Sequence, residues 1–128
     1  MKALLDTHVF LWAVTDDRRL SRAARAAIGQ GANEILLSVA SMWEIILKAH
    51  AGKLHVHGGV ARFLEREVHR NRFSTLAVSP AHAMAVESLP PIHKDPFDRL
   101  LIAQAQVEDL LLITGDRAIT RYAVQVVW

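Results

Sequence analysis

The chain contains no cysteine. That excludes a disulfide framework and any thiolate metal site, and it fits a reducing compartment. No apolar run is long enough to span a bilayer. The few apolar residues between Lys2 and Asp6 are too short for a secretory leader. There is no internal repeat, linker or low-complexity stretch. A large excess of one charge is missing too, since 15 Lys+Arg against 13 Asp+Glu leave a formal charge of +2. These absences point to a cytoplasmic protein with no membrane association. The 128 residues suit one domain spanning residues 1–128, and 52% hydrophobic content supplies a core.

Charge is distributed less evenly than its sum suggests. Arg18, Arg19, Arg22 and Arg25 form one basic stretch, and Arg62, Arg66, Arg70 and Arg72 form another. Arginines at helical spacing usually mark a solvated face. If acids line a pocket elsewhere, the same stretches become basic rims suited to a polyanion.

The chain reads as alternating strands and helices, which favours an α/β fold. Lys2 to Leu5 is a short apolar strand ending at Asp6. Thr7 to Val14 follows as a helix that is apolar nearly all round. A surface helix needs only one apolar stripe, so this one is either sandwiched in the core or part of a protein interface. Ser21 caps an alanine-rich helix reaching about Ile28, and Gly29-Gln30-Gly31 stops it. Glu34 to Leu37 is the second strand, with Ser38 after it.

The helix from Val39 to Ala49 is apolar except for Ser41, Glu44 and Lys48, which share one stripe. Either the stripe faces water with Glu44 paired to Lys48, or it faces a polar site inside the molecule. Taken alone, the helix favours the first. Gly52 to Gly59 is a loop, and its His55 and His57 have no further metal ligand nearby in sequence. Val60 to Arg70 is an amphipathic helix, Phe73 to Val78 a third strand, and Pro80 opens a short helix through Ser88. Pro90-Pro91 ends that helix and begins a stiff connector.

The stretch Asp95-Pro96-Phe97-Asp98-Arg99 opens the next helix. Asp95 is a good N-cap and Pro96 fits the first helical position. Asp98 falls in the first turn, near the positive end of the helix dipole. Leu110 to Thr114 is a buried fourth strand followed by Gly115-Asp116. A short helix near Arg117 to Tyr122 and a fifth strand over Val124 to Val127 complete the chain.

Four acids therefore stand at strand ends or on helices near them: Asp6, Glu44, Asp98 and Asp116. In open α/β sheets ligands bind beyond the carboxyl ends of strands, where the strand order reverses. Taken singly, each acid is best read as a helix cap or a surface ion pair. Taken together, they can share one pocket if the first and fourth strands are neighbours. Clustered carboxylates repel one another unless neutralised. A hard divalent cation does this, and all-oxygen ligation suits Mg²⁺ or Mn²⁺. Such a site lowers the pKa of water and steadies phosphoryl charge, which is the chemistry of phosphodiester hydrolysis.

Four segments carry a family resemblance over the whole chain. They are Leu4-Leu5-Asp6-Thr7-His8, Trp43-Glu44-Ile45 with Lys48, Asp95 through Ala105, and Thr114-Gly115-Asp116. The third is the most specific. With them the chain resembles PIN-domain ribonucleases of the VapC type, toxins of bacterial toxin–antitoxin pairs. The resemblance implies a three-layer sandwich with a five-stranded parallel sheet in the order 3-2-1-4-5. It maps the acidic quartet onto Asp6, Glu44, Asp98 and Asp116, as metal ligands and catalytic residues. Asp95 matches as well and is assigned the cap, with Thr7, Thr114, Arg99 and Lys48 as accessory positions. His8 departs from the small polar residue common at its position.

The resemblance further implies Mg²⁺-dependent cleavage of RNA, often tRNA or rRNA, leaving 5′-phosphate and 3′-hydroxyl ends. It implies a homodimer and a cognate antitoxin lying over the site. A housekeeping RNA-processing nuclease of the same fold and a non-catalytic RNA-binding domain are the competing readings. A response-regulator receiver domain is disfavoured, because Val78-Ser79-Pro80 offers no phosphoacceptor acid and Ala123 to Trp128 no lysine.

Overall fold

Alternation along the first strand sets up the architecture. In a computed structural model describing residues 1–128, strand β1 spans Lys2–Leu5. Its Ala3 and Leu5 point to one face of the sheet and Leu4 to the other, as the two-residue period of a strand requires. All three side chains are fully buried, so helices must cover both faces.

The elements then follow in order as α1 (Thr7–Val14), α2 (Arg22–Gly29), β2 (Glu34–Ser38), α3 (Val39–His50) and α4 (Val60–Arg70). The second half comprises β3 (Ser74–Leu76), α5 (Pro80–Ala85), α6 (Pro96–Glu108), β4 (Leu111–Ile113) and β5 (Val126–Val127). The sheet is five-stranded and wholly parallel, in the order β3-β2-β1-β4-β5. This is the expected topology. On one face Phe10, Ile45 and Phe63 from α1, α3 and α4, with Phe73 just before β3, pack with Leu5 and Leu37. On the other, Leu101, Ile102 and Ala105 of α6 pack with Leu4, Leu36 and Leu112.

Differences from the expected elements fall at strand ends and short turns. β3 is shorter than Phe73 to Val78, β5 shorter than Val124 to Val127, and β4 loses a residue at each end. β3 and β5 each have one neighbour, so their ladders stop where that single partner stops. The helix expected near Arg117 to Tyr122 is only a 3₁₀ turn over Ile119–Arg121. Helix α1 is enclosed largely by its own chain. Val9 and Phe10 are fully buried, Leu11 to Val14 are partly buried, and His8 alone is exposed.

Two features of this topology make the site. β1 sits between β2 and β4, with Leu5 in register with Ile113. The chain therefore leaves β1 and β4 side by side, at the point where strand order reverses. No helix is long and apolar enough to cross a membrane.

Candidate active site

Asp6 ends β1 and occupies the N-cap position of α1, yet its carboxylate caps nothing. Its backbone N–H donates to the carbonyl of Ile113 at 3.0 Å, which ties it to β4. The side chain is 5% exposed. Oδ2 accepts a 2.8 Å hydrogen bond from the Thr114 hydroxyl, while the buried Oδ1 has no partner. Burial pushes this carboxyl above its usual range, outweighing the Thr114 hydrogen bond and the pull of His8.

Thr114 also accepts from the Asp116 N–H at 3.0 Å, so one hydroxyl links the ends of β1 and β4. Asp116 in turn accepts from the Ala118 N–H through Oδ1 at 2.9 Å, which closes the turn after β4. Its Oδ2 lies 2.7 Å from His93 Nε2.

Helix α6 brings Asp98. Asp95 caps the helix as expected, accepting from the Phe97 N–H at 2.8 Å and the Asp98 N–H at 3.3 Å. This leaves Asp98 free to face the pocket, and its Oδ2 stands 3.2 Å from His93 Nε2. Burial, then the charges of Asp6 and Asp95, push the Asp98 carboxyl up to about 7, although His93 opposes this. A cluster that forces an acid so far toward neutrality is short of positive charge.

Glu44 corrects the reading that α3 alone favours. Ser41 and Glu44 are buried, while Val39, Trp43 and Leu47 of the same helix are exposed. The polar stripe faces inward because α1 supplies its partner. Thr7 Oγ1 lies 2.7 Å from Glu44 Oε1 and 2.8 Å from Ser41 Oγ. With one proton, Thr7 donates to the carboxylate and accepts from the serine. The Glu44–Lys48 pair expected of a surface stripe also forms, at 3.0 Å, but on Oε2 at the pocket margin.

Three of the expected four acids, Asp6, Asp98 and Asp116, line one cavity of about 420 Å³. Glu44 opens on a neighbouring recess with Lys48 and Asp95, and its charge raises both Asp6 and Asp98. Arg99 does not enter the cavity. Its guanidinium donates to the carbonyls of Pro90 at 2.9 Å, Leu89 at 3.3 Å, and Val86 and His93 at 3.4 Å. It straps the connector to the start of α6.

That connector carries the residue sequence reasoning missed. His93 Nδ1 accepts from the Asp95 N–H at 3.1 Å, so the proton sits on Nε2 and is donated to Asp116. One ligand atom each from His93, Asp98 and Asp116 fall within 4.8 Å of one another. Burial pulls the His93 imidazole down, but the Asp116 hydrogen bond and the charges of Asp98, Asp116 and Asp95 outweigh it and leave it raised. The available signal was its place two residues before a helix-capping aspartate. His55 and His57 lie in the adjoining groove with Lys53 and Arg66, apart from the acids.

The donor set fits a hard cation. The acids offer only oxygen, Asp6 Oδ1 is buried without a proton donor, and the Asp6 and Asp98 carboxyls are held above their usual range.

A family model described as PIN domain matches residues 3–125 of the chain. A curated relative, Ribonuclease VapC22 of Mycobacterium tuberculosis, is 32% identical over 115 residues, covering 89% of this chain and 86% of that protein. Among solved structures, VapBC2 from Rickettsia felis, bound to a DNA fragment from its promoter, superposes with a TM-score of 0.73. Its identity is 14%, over 98% of this chain and 97% of the other. FitAcB from Neisseria gonorrhoeae gives 0.66 at 17% identity, over 97% and 95%. At these identities the structural likeness speaks to the fold.

Proposed function

Because the chain belongs to the PIN-domain family, we propose that it is a metal-dependent endoribonuclease acting as the toxin of a toxin–antitoxin pair in the cytoplasm. The ions we assign are Mg²⁺ or Mn²⁺, and the products 5′-phosphate and 3′-hydroxyl ends. The reading also includes a homodimer, a cognate antitoxin that silences it, and tRNA or rRNA as substrate. One observation carries the chemistry. Asp6 Oδ1 is buried and unpartnered in a residue that lines the cavity, where burial also drives Asp98 toward its neutral form. An orphaned carboxylate oxygen costs free energy that a cation repays.

Asp6, Asp98 and Asp116 would hold the ion, with Glu44 adding charge from behind. Such an ion supplies Lewis acidity to water and to the phosphoryl oxygens. The chain's own groups arrange everything around that. Thr114 orients Asp6 through Oδ2, leaving Oδ1 without a partner. His93 holds Asp116 by its Nε2–H, the arrangement by which supporting groups orient ligand carboxylates. Thr7 and Lys48 each take one oxygen of Glu44 and fix its rotamer. Asp95 spends its carboxylate on the helix cap and so keeps Asp98 in the first turn.

The test is incubation of purified protein with total RNA and Mg²⁺ or Mn²⁺, followed by mapping of new 5′ ends. Cleavage should vanish with EDTA and with Asp98→Asn, while the fold survives both. Undiminished cleavage in EDTA would overturn the metal assignment. Expression of the chain should arrest growth, which a housekeeping nuclease would not do.

A further inference from the structure

The acid cavity has a second wall that metal chemistry does not use. Trp128 is 41% exposed, a large aromatic held at the rim beside Asp6, Asp98 and Asp116. Its indole lies against Gly115, where a Cβ would stand 2.7 Å from Trp128 Cε2. Any side chain at this position would push the ring away. Trp12 of α1 supports the indole from the side, with ring centroids 6.0 Å apart and planes tilted by 51°. Arg19 sits over the Trp12 ring at 5.0 Å, and Asp17 holds its Nε and Nη2 at 3.1 and 2.8 Å. Arg19 is the only lysine or arginine among the residues lining this cavity. Beyond it a groove of about 610 Å³ continues past Lys48, Lys53 and Arg66, where the one acid is Asp17, already engaged by Arg19.

Resting on the nuclease reading above, we propose that Trp128, seated on Gly115 and braced by Trp12, is the stacking platform for one unpaired RNA base next to the scissile phosphate, with the strand continuing past Arg19 into the basic groove. An aromatic face fixed beside a phosphodiester-cleaving centre suits a nucleobase, because every base has a π-face to lay on it. Bases within an A-form duplex have both faces covered by their neighbours and present none to a side wall. Positive charge beyond the platform matches a polyanionic backbone, with Lys53 in no ion pair and Lys48 and Arg66 each sharing one carboxylate, Glu44 and Glu67.

The test uses protein carrying Asp98→Asn, so that bound RNA is not cut. Fluorescence anisotropy would measure affinity for a labelled single-stranded RNA octamer. The same octamer with one abasic ribose at each position in turn, and annealed to its complement, completes the set. The expected result is that one abasic position weakens binding about 5- to 140-fold, the range for loss of a single base stack. The duplex should bind at least about tenfold more weakly. Trp128→Leu should cause a similar loss and erase the abasic effect, and Trp128→Phe should preserve both within about threefold. Gly115→Ala, which displaces the ring without deleting it, should follow Trp128→Leu and decides the matter if the leucine variant does not fold.

Insensitivity to abasic substitution at every position, or equal affinity for duplex, would overturn the platform. Parental RNA binding by Trp128→Leu together with lost assembly with the antitoxin would assign the wall to the protein partner instead, and also overturns it. If the Asp98-containing protein still cleaves RNA with Mg²⁺ in any of these cases, only the platform falls. If it neither binds nor cleaves RNA, the nuclease reading itself fails.

Discussion

Replacing Thr7 by valine tests how Glu44 is held. The two side chains are nearly isosteric, so the change removes a hydroxyl and leaves the packing of α1 intact. Thr7 is 1% exposed, and its partners Ser41 and Glu44 are 1% and 6% exposed, so water cannot replace what is lost. The bond to the Glu44 carboxylate, at 2.7 Å, belongs to the charged class worth about 1.5–3 kcal/mol. The bond with Ser41, at 2.8 Å, belongs to the neutral class worth about 0.5–1.5 kcal/mol. Lys48 keeps its grip on the other Glu44 oxygen and limits the damage.

The expected loss is about 2–3 kcal/mol, or a fall in Tm of about 6–15 °C for a domain of this size. Urea unfolding should show a lower midpoint at unchanged slope. Ser41→Ala alone should cost about 1 kcal/mol, and the double variant less than the sum, because neither hydroxyl then lacks the other. RNA cleavage should fall alongside, since Glu44 loses its fixed rotamer. A Thr7→Val protein within about 0.5 kcal/mol of the parent would refute the inward-facing stripe, as would strict additivity in the cycle.

Asp6→Asn and Asp98→Asn should each abolish cleavage without lowering the Tm of the metal-free protein, because each relieves a crowded set of carboxyls. The parent should gain about 2.7 kcal/mol at a Mg²⁺ concentration a hundredfold above Kd, and the variants little of it; equal gains in all three would refute the ligand set. Metal-free protein should lose stability as pH rises. The folded Asp98 carboxyl keeps its proton to about 7 against an ordinary 3.8, so its contribution is full below about pH 4 and gone above 7. The raised His93 acts with the same sign above its ordinary 6.5. Thermal scans from pH 4 to pH 8 should show this fall, shallower with Mg²⁺, and a metal-free Tm that climbs across the window would contradict it. Arg99→Lys should cost about 1–2 kcal/mol in urea melts, because a single ammonium cannot reach carbonyls on several sides. An Arg99→Lys protein as stable as the parent would refute the strap.

Much of the site could be read before any coordinates. Asp6 and Asp116 follow short apolar runs that read as strands, and where those strands are neighbours, as the family resemblance implies, parallel topology brings their ends together. Asp95 and Asp98 were separable because proline at the first helical position dictates which carboxylate caps. Glu44 was legible as an interruption but not as to direction. Whether a polar stripe meets water or protein depends on which helix lies across it, and only the packing of α1 against α3 supplies Thr7. His93 escaped because it belongs to no periodic element, and the contacts that recruit it come from Asp116 and Tyr122, 23 and 29 residues away. The edge strands were overextended because apolar residues continue past the point where a neighbouring ladder ends.

The Arg99 strap gives the centre its mechanical character. The histidine-bearing connector is clamped to the same helical turn that displays Asp98, so those two travel together. Asp6 and Asp116 are welded to each other through Thr114. The mouth is thus two stiff jaws that meet where the connector touches Asp116 and Tyr122. Slack in the apparatus should concentrate along that seam, and a filled centre should lock it.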